Sequence, residues 1–375
     1  MLRKYRLGII GFGHMHINNV AQLYAAHPQV EWVGCADTVP IRPELRVARY
    51  TREWNRQNLV SKLGIPAVYE DYRRFLDEAK PDIVIVTCEN AQHPDVVEAC
   101  AAASAHVCVE KPMACSLSDA LRMARACHMA GTTMIVNWPA TWSPALRQAK
   151  ALIDQGVIGR VLEVRYRAGH NGPLGAGVGH AGVNEAAAPM TGPEKGATWW
   201  HQKAAGGGAT LDFCSYGAMF SRWVIGEPAT AAIGLRANLN SHYGDADDNG
   251  ILVVRFPSAM ALLEGTWIVR DHGVPTGPIV YGSEGTLVIE RQGEEQVVRV
   301  SRGGDEGTIY TPEPLPDGRT NVAEELIHHL DTGAPPHPTL TTENNLEYMA
   351  ILDAGLRACE SGTLELVDNE TWRIG

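Results

Sequence analysis

The sequence predicts an N-terminal α/β domain built on a parallel sheet, followed by an α+β domain with a large, mostly antiparallel open sheet. Apolar runs of strand length alternate with helix-period segments through the first third of the chain, the signature of a parallel sheet with helices on both faces. After about residue 138 the strands instead alternate apolar and polar residues, the signature of a sheet covered on one side. A chain of 375 residues is also long enough for two domains at about 150 residues each. The expected domains are residues 1–138 and 139–375.

Taken in order, Tyr5 to Ile10 is a short apolar run ending in glycines, and Ile17 to Ala26 carries apolar residues at helical spacing. Val30 to Ala36 is the next strand, stopping at Asp37, and the arginine-rich stretch to Asn58 reads as loop and helix. Ile83 to Cys88, His106 to Val109 and Thr133 to Val136 read as strands, separated by helices over Pro94 to Ala103 and Leu117 to Ala130. A helix over Pro144 to Gln155 leads into the alternating strand Val161 to Tyr166. Further strands are expected at Thr230 to Arg236, Ile251 to Phe256, Ala261 to Val269, Thr286 to Glu290 and Gln296 to Ser301, with closing helices at Asn321 to Asp331 and Glu343 to Cys359. Residues 169–208 contain eleven glycines and end near Trp199-Trp200; a loop this long is usually functional.

Composition removes several function classes. With 32 Lys and Arg against 43 Asp and Glu the net charge is −11, which repels a polyanionic backbone, so no nucleic acid is expected as a partner. No apolar stretch approaches the roughly 20 residues of a bilayer crossing, so no membrane partner is expected. Arg3, Lys4 and Arg6 precede an apolar run, but glycines interrupt it and no small-residue cleavage site follows, which points to a cytoplasmic protein. The eight cysteines form no C-x-x-C pair and read as reduced, packed thiols. None of the 14 histidines makes a ligand pair at metal spacing; His170, His180 and His201 share one irregular region where convergence on a zinc ion is open, but scattered surface histidines are the simpler reading, and no metal is expected.

The chemistry begins at Gly11-Phe12-Gly13-His14-Met15-His16, the first two glycines of G-x-G-x-x-G between a strand and a helix, with histidine in the third slot. The first glycine permits the turn, and the second lets the backbone approach a diphosphate that the helix N-terminus favours. Asp37 ends the second strand 21 residues past His16, near the spacing of about 20 expected for a ribose-binding acid. The cofactor contacts expected here are therefore Gly11, Phe12, Gly13, His14, Met15 and Asp37. A carboxylate at Asp37 favours NAD, while NADP stays open because one of Arg42, Arg46, Arg49, Arg52 and Arg56 would neutralise a 2′-phosphate; otherwise these arginines read as a solvated helical face.

Glu110-Lys111-Pro112 follows a strand and puts Lys111 at the C-terminal edge of the parallel sheet, where open α/β folds bind ligands. A lysine there can hydrogen-bond a substrate oxygen or pass a proton. At these residues the chain resembles the glucose-fructose oxidoreductase, inositol dehydrogenase and MocA (Gfo/Idh/MocA) family, marked by a Glu-Lys-Pro turn in a Rossmann domain. The likeness runs end to end: GFGHMH, Thr87 with Asn90 and His93, HVCVEKP, Asn137, GVIG at 156 to 159, and GGGATLD. The resemblance implies an N-terminal NAD(P)-binding Rossmann domain and a C-terminal domain whose sheet builds a sugar or polyol pocket. It makes Lys111 the catalytic lysine and puts Thr87, Asn90, His93, Glu110 and Asn137 around the cofactor. The family's D-x-G-x-H reads here Asp212-Phe213-Cys214-Ser215-Tyr216.

Spacing of four keeps Asp212 and Tyr216 on one helical face. Histidine with an unperturbed pKa of about 6.5 is suited to base work, whereas tyrosine at about 10 is a better donor. Phe213, Tyr216, Phe220 and Trp223 share a stripe, so Tyr216 also reads as core and Asp212 as a helix cap. Trp200 and His201 precede the glycine run and are candidate substrate contacts with Lys111, Asp212 and Tyr216. The expected activity is NAD(P)-dependent hydride transfer from a sugar or polyol. The competing readings are redox-neutral epimerisation, elimination or glycosidic cleavage with retained NAD, and a cofactor-loaded sensor without catalysis. The open face of the second sheet predicts homodimers or homotetramers.

Overall fold

Five of the six residues of β1 (Tyr5–Ile10) are buried, because the strand lies inside a sheet covered on both faces. The computed structural model describes residues 3–175, 178–268, 277–293, 295–304 and 306–370. After β1 come α1 (Ile17–Ala25), β2 (Val30–Ala36), α2 (Arg52–Leu63), β3 (Val68–Tyr69), α3 (Tyr72–Ala79) and β4 (Ile83–Val86). The first half is completed by α4 (His93–Ala102), β5 (His106–Glu110), α5 (Leu117–Ala130) and β6 (Met134–Asn137). These strands form one parallel sheet in the order β3-β2-β1-β4-β5-β6. The order reverses between β1 and β4, the switch point at which a doubly wound sheet opens a crevice for ligands.

β3 and α3 were not anticipated, because the segment is largely polar. α3 buries only Phe75, Leu76 and Ala79, and it starts where Asp71 accepts the Arg74 amide. Phe75 fills the space beside Gly8 of β1, where a Cβ would collide with its ring.

The second half opens with α6 (Pro144–Asp154) and β7 (Val161–Gly169), then α7 (Gly192–Gly196) and α8 (Ala209–Ile225). It continues through β8 (Ala231–Ala237), β9 (Asn249–Arg255), β10 (Met260–Thr266), β11 (Ile279–Gly282), β12 (Thr286–Gln292), β13 (Glu295–Ser301) and β14 (Thr308–Tyr310). α9 (Val322–Thr332), α10 (Thr342–Ser361) and β15 (Glu365–Leu366) close the chain. The sheet runs β14-β13-β12-β11-β7-β10-β9-β8-β15 and is antiparallel except for the β7–β10 pair. β10 stops at Thr266 instead of Val269, which lies outside the described residues.

α8 and α10 cover one face of this sheet. At Gly265 of β10 a Cβ would stand 2.6 Å from the Ala209 carbonyl, so glycine lets the start of α8 lie directly on the strand and fixes the height of Asp212. The opposite face exposes Ile233, Leu235, Ile251 and Val253, with Leu235 77% accessible, along an apolar groove of about 670 Å³. All eight cysteines are free thiols, as expected. Among the described residues no helix is long and apolar enough to cross a membrane.

The strap formed by residues 170–175 and 178–208 lies over the first domain's glycine turn. Arg49 donates to the carbonyls of Val178 and Glu185 (2.7 Å each), Gln22 to that of Gly182 (3.0 Å), and the Trp199 indole to that of Gly13 (2.7 Å). The arginine run expected as a solvated face therefore divides: Arg46 and Arg49 bind the strap, and Arg52 is buried.

The halves also meet at Trp138, 1% exposed just past β6, whose indole donates to Asn345 Oδ1 of α10 at 2.7 Å. Trp138→Ala is expected to cost about 3–5 kcal/mol, read as a lower urea midpoint at unchanged slope.

Candidate active site

The glycine turn brings β1 to α1 under several constraints. Gly11 has φ +90°, and a Cβ there would run into the Cys88 backbone. Thr87 holds the turn from β4: its hydroxyl donates to the Gly11 carbonyl (2.7 Å), and its carbonyl accepts the His14 amide (2.9 Å). The buried amides of Gly13 and Met15 have no acceptor among the described residues, so two donors converge at the N-terminus of α1, where a diphosphate is favoured. At the far end of the crevice every protein hydrogen bond to Asp37 falls on Oδ1, from the amides of Phe12 (3.2 Å) and Thr38 (2.8 Å) and from Arg52, which leaves Oδ2 for a ribose hydroxyl. A hollow of about 220 Å³ lined by Asp37, Thr38, Val39, Tyr72 and Gln92 adjoins it. These residues fit a dinucleotide.

Arg52 enters from α2 and bridges Asp37 and Glu89, at 2.9 Å to Glu89 Oε1. Its Nη2 lies 3.5 Å from where a Gly13 Cβ would be. Burial raises the Asp37 carboxyl from its ordinary value, against the pull of Arg52 and of two amides. Two carboxylates against one guanidinium leave this end net negative, which opposes a 2′-phosphate.

At the other end Lys111, 2% exposed, meets Asp212 of α8 in a buried ion pair. The Trp267 indole donates to the other Asp212 oxygen at 3.1 Å. Burial alone would raise Asp212, but the ammonium outweighs it and the carboxyl lies below its ordinary value. The pair therefore contributes stability at neutral pH that is lost as pH falls below the usual carboxylate range. The Lys111 Nζ is 4.6 Å from the centre of the Tyr216 ring. Burial, then Asp212 and Glu110, push the Tyr216 phenol well above 10, so it is a proton donor at neutral pH. The ring packs edge-on against Trp138, so Tyr216 joins the core while standing beside Lys111.

A cavity of about 110 Å³ is lined by Lys111, Asp212, Phe213 and Tyr216, by His14, Met15 and His16 of the glycine turn, and by His170, Pro173, His180 and Trp200 of the strap. His170 and His180 thus converge as the sequence allowed. His201 does not, and this corrects its expected role: it is buried against Tyr243 and Trp267, with its carbonyl accepting the Asp245 amide (3.0 Å), and it does not line the cavity. Asn90 donates to the Gly206 carbonyl (2.9 Å), His93 meets the Met113 carbonyl (3.1 Å), and Asn137 donates to Glu110 Oε2 (2.8 Å). All three support the loops around Lys111. The sequence does not single out Glu89 or His16 as site residues, and it offers Arg52 only for a 2′-phosphate and His170 and His180 only for a zinc ion. The signal for His16 was its place in the third slot of the glycine turn.

His14, His16 and Glu110 offer ligand atoms within 4.8 Å of one another. The His16 amide donates to His14 Nδ1 (3.1 Å), so neutral His14 carries its proton on Nε2 and has no lone pair there for a metal.

Residues 5–138 match the family described as "Oxidoreductase family, NAD-binding Rossmann fold", and residues 146–288 match the "GFO/IDH/MocA C-terminal domain". The chain is 24% identical over 294 residues to the myo-inositol 2-dehydrogenase of Thermotoga maritima, covering 76% of this chain and 80% of that one. It is 25% identical over 359 residues to the levoglucosan dehydrogenase of Pseudarthrobacter phenanthrenivorans, covering 84% and 83%. Among solved structures, the aldose-aldose oxidoreductase of Caulobacter crescentus, complexed with glycerol, superposes with a TM-score of 0.75 at 22% identity over 97% of this chain and all of that one.

Lys111→Met strands the Asp212 charge and is expected to cost about 3–5 kcal/mol in urea unfolding. Adding Asp212→Asn should recover most of that loss; equal stability of the single and double variants would deny the pair its buried character.

Proposed function

Because the chain belongs to the Gfo/Idh/MocA oxidoreductase family, whose first domain binds NAD in a Rossmann fold, we propose that it oxidises one hydroxyl-bearing carbon of a sugar or polyol. The supporting observation is the Lys111–Asp212 pair, which faces a small cavity shared with the glycine turn. The named dehydrogenase relatives act on inositol and levoglucosan, which suits a cyclic polyhydroxyl substrate. Bound along the crevice, NAD supplies the hydride acceptor.

The chain's own residues do the rest. Asp37 Oδ2 accepts a ribose hydroxyl, and the free amides of Gly13 and Met15 hold the diphosphate. The carboxylate pair around Arg52 favours NAD over NADP. Lys111 Nζ holds and polarises the reacting oxygen, and Asp212, itself held by Trp267, keeps the ammonium aimed. Tyr216 exchanges the proton at that oxygen. Trp200 and the strap keep water out, and the apolar indole face suits the C–H face of a sugar ring. In this reading the domains divide at residues 138 and 139, directly after β6. The groove along Ile233, Leu235, Ile251 and Val253 is covered by a second copy of the chain, giving homodimers or tetramers.

Mixing the protein with NAD and a panel of cyclitols, aldoses and anhydrosugars should produce NADH absorbance, faster than NADPH from NADP. Tyr216→Phe should lower kcat by about 100-fold or more while barely moving NAD affinity. Product without NADH would instead assign retained-cofactor chemistry, and an unchanged kcat would return Tyr216 to the core.

The chain should sediment as a dimer or larger species. The double variant Leu235→Glu, Ile251→Lys should sediment as a monomer; a monomeric parent protein would contradict the proposed interface.

A further inference from the structure

A hydroxyl that surrenders hydride must also surrender its proton, and most groups around the cavity cannot keep one. Tyr216 can relay a proton but, with its phenol well above 10, does not retain the phenolate that true base work requires. Lys111 already donates to Asp212. Burial and neighbouring imidazoles push His180 down to about 3, and burial lowers His170 as well. His14 has its Nδ1 lone pair taken by the His16 amide and offers only Nε2–H.

His16 differs from all of these. Its Nδ1 lies 2.9 Å from Glu110 Oε1 and donates to it, which leaves Nε2 with the lone pair. Glu110 is 1% exposed, takes the Asn137 amide on its other oxygen (2.8 Å), and among the described residues has no lysine or arginine within ion-pair distance. A buried carboxylate so placed would offset a positive charge arriving on the ring during the reaction. The charged and titratable groups that touch His16 or line the same cavity are His14 on its own turn, Glu110 and Lys111 from the end of β5, His170 and His180 from the strap, and Asp212 and Tyr216 from α8. Glu110 is the one that touches it as a hydrogen-bonding anion.

We propose that His16, oriented by Glu110, is the terminal proton acceptor of the oxidation. This rests on the dehydrogenase reading above. The substrate O–H bond breaks, its electron pair forms the carbonyl, the carbon's hydride leaves to NAD, and the proton passes directly or through Tyr216 to His16 Nε2. Glu110 is a positioning residue: it fixes the tautomer and stabilises the imidazolium, as a carboxylate does behind an imidazole in a hydrolase triad.

The test has two arms. In the ligand-free protein, ¹⁵N NMR should find His16 as the Nδ1–H tautomer, lost in Glu110→Gln; an Nε2–H tautomer in the parent overturns the proposal whatever the substrate. With substrate and NAD, His16→Gln should lower kcat by about 100-fold or more, flatten the acidic limb of the pH profile, and leave NAD affinity within about threefold. Added imidazole should restore part of the turnover of His16→Ala. A parental pH profile and kcat in His16→Gln would overturn the proposal, as would a stoichiometric divalent metal whose removal abolishes turnover, since His16 would then be a ligand. Should no sugar yield NADH while the NMR arm holds, it is the dehydrogenase reading that fails, and the proton-acceptor role falls with it although the His16–Glu110 geometry is right.

Discussion

The ion pair between Lys111 and Asp212 joins the two halves of the molecule where their chemistry meets. Lys111 comes from the C-terminal edge of the parallel sheet and Asp212 from the first turns of α8, so their contact fixes the height of one half against the other. A buried ion pair is a poor source of stability, since desolvating both charges cancels much of the attraction. Its value here is directional. Tyr216 beside the ammonium and the Trp267 indole on the far carboxylate oxygen restrict how the pair can lie.

Burial sets the electrical character of the remaining site. The strap brings His170, His180 and Trp200 over the glycine turn, and this enclosure drives His14, His170 and His180 toward their neutral forms. The substrate end therefore holds few net charges. The adenosine end is the reverse, with Arg52 clamped between two carboxylates. A cofactor lying across both ends would meet donors at its middle and acceptors at its ribose, an asymmetry that orients it before any substrate arrives.

Most of the fold was legible because its signals are local. Continuous apolar strands, the glycine turn and the Glu-Lys-Pro turn each depend on a few neighbouring residues. α3 was missed because it buries only three apolar side chains. Arg52 looked like part of a solvated face because nothing within one helix reveals that Asp37 and Glu89 close over it from two other strands' ends. His201 reads as a substrate contact because it precedes the glycine run, but in the short turn at 199–201 Trp200 lines the cavity and His201 packs against Tyr243 and Trp267. His16 occupied a slot whose usual glycine serves packing, and its role depends on Glu110, 94 residues away.

That slot carries a further consequence. With histidine in place of the third glycine, α1 begins at a residue whose ring must find room, and it finds it beside Glu110, at the end of the strand that delivers Lys111. The glycine turn and the strand that ends next to Lys111 are thus tied by a side-chain hydrogen bond as well as by the sheet. A small displacement of the glycine turn would be felt at Glu110, and from there at the residue next to it in sequence. The buried carboxylate gives that bond its strength, because without the imidazole its charge would lack compensation.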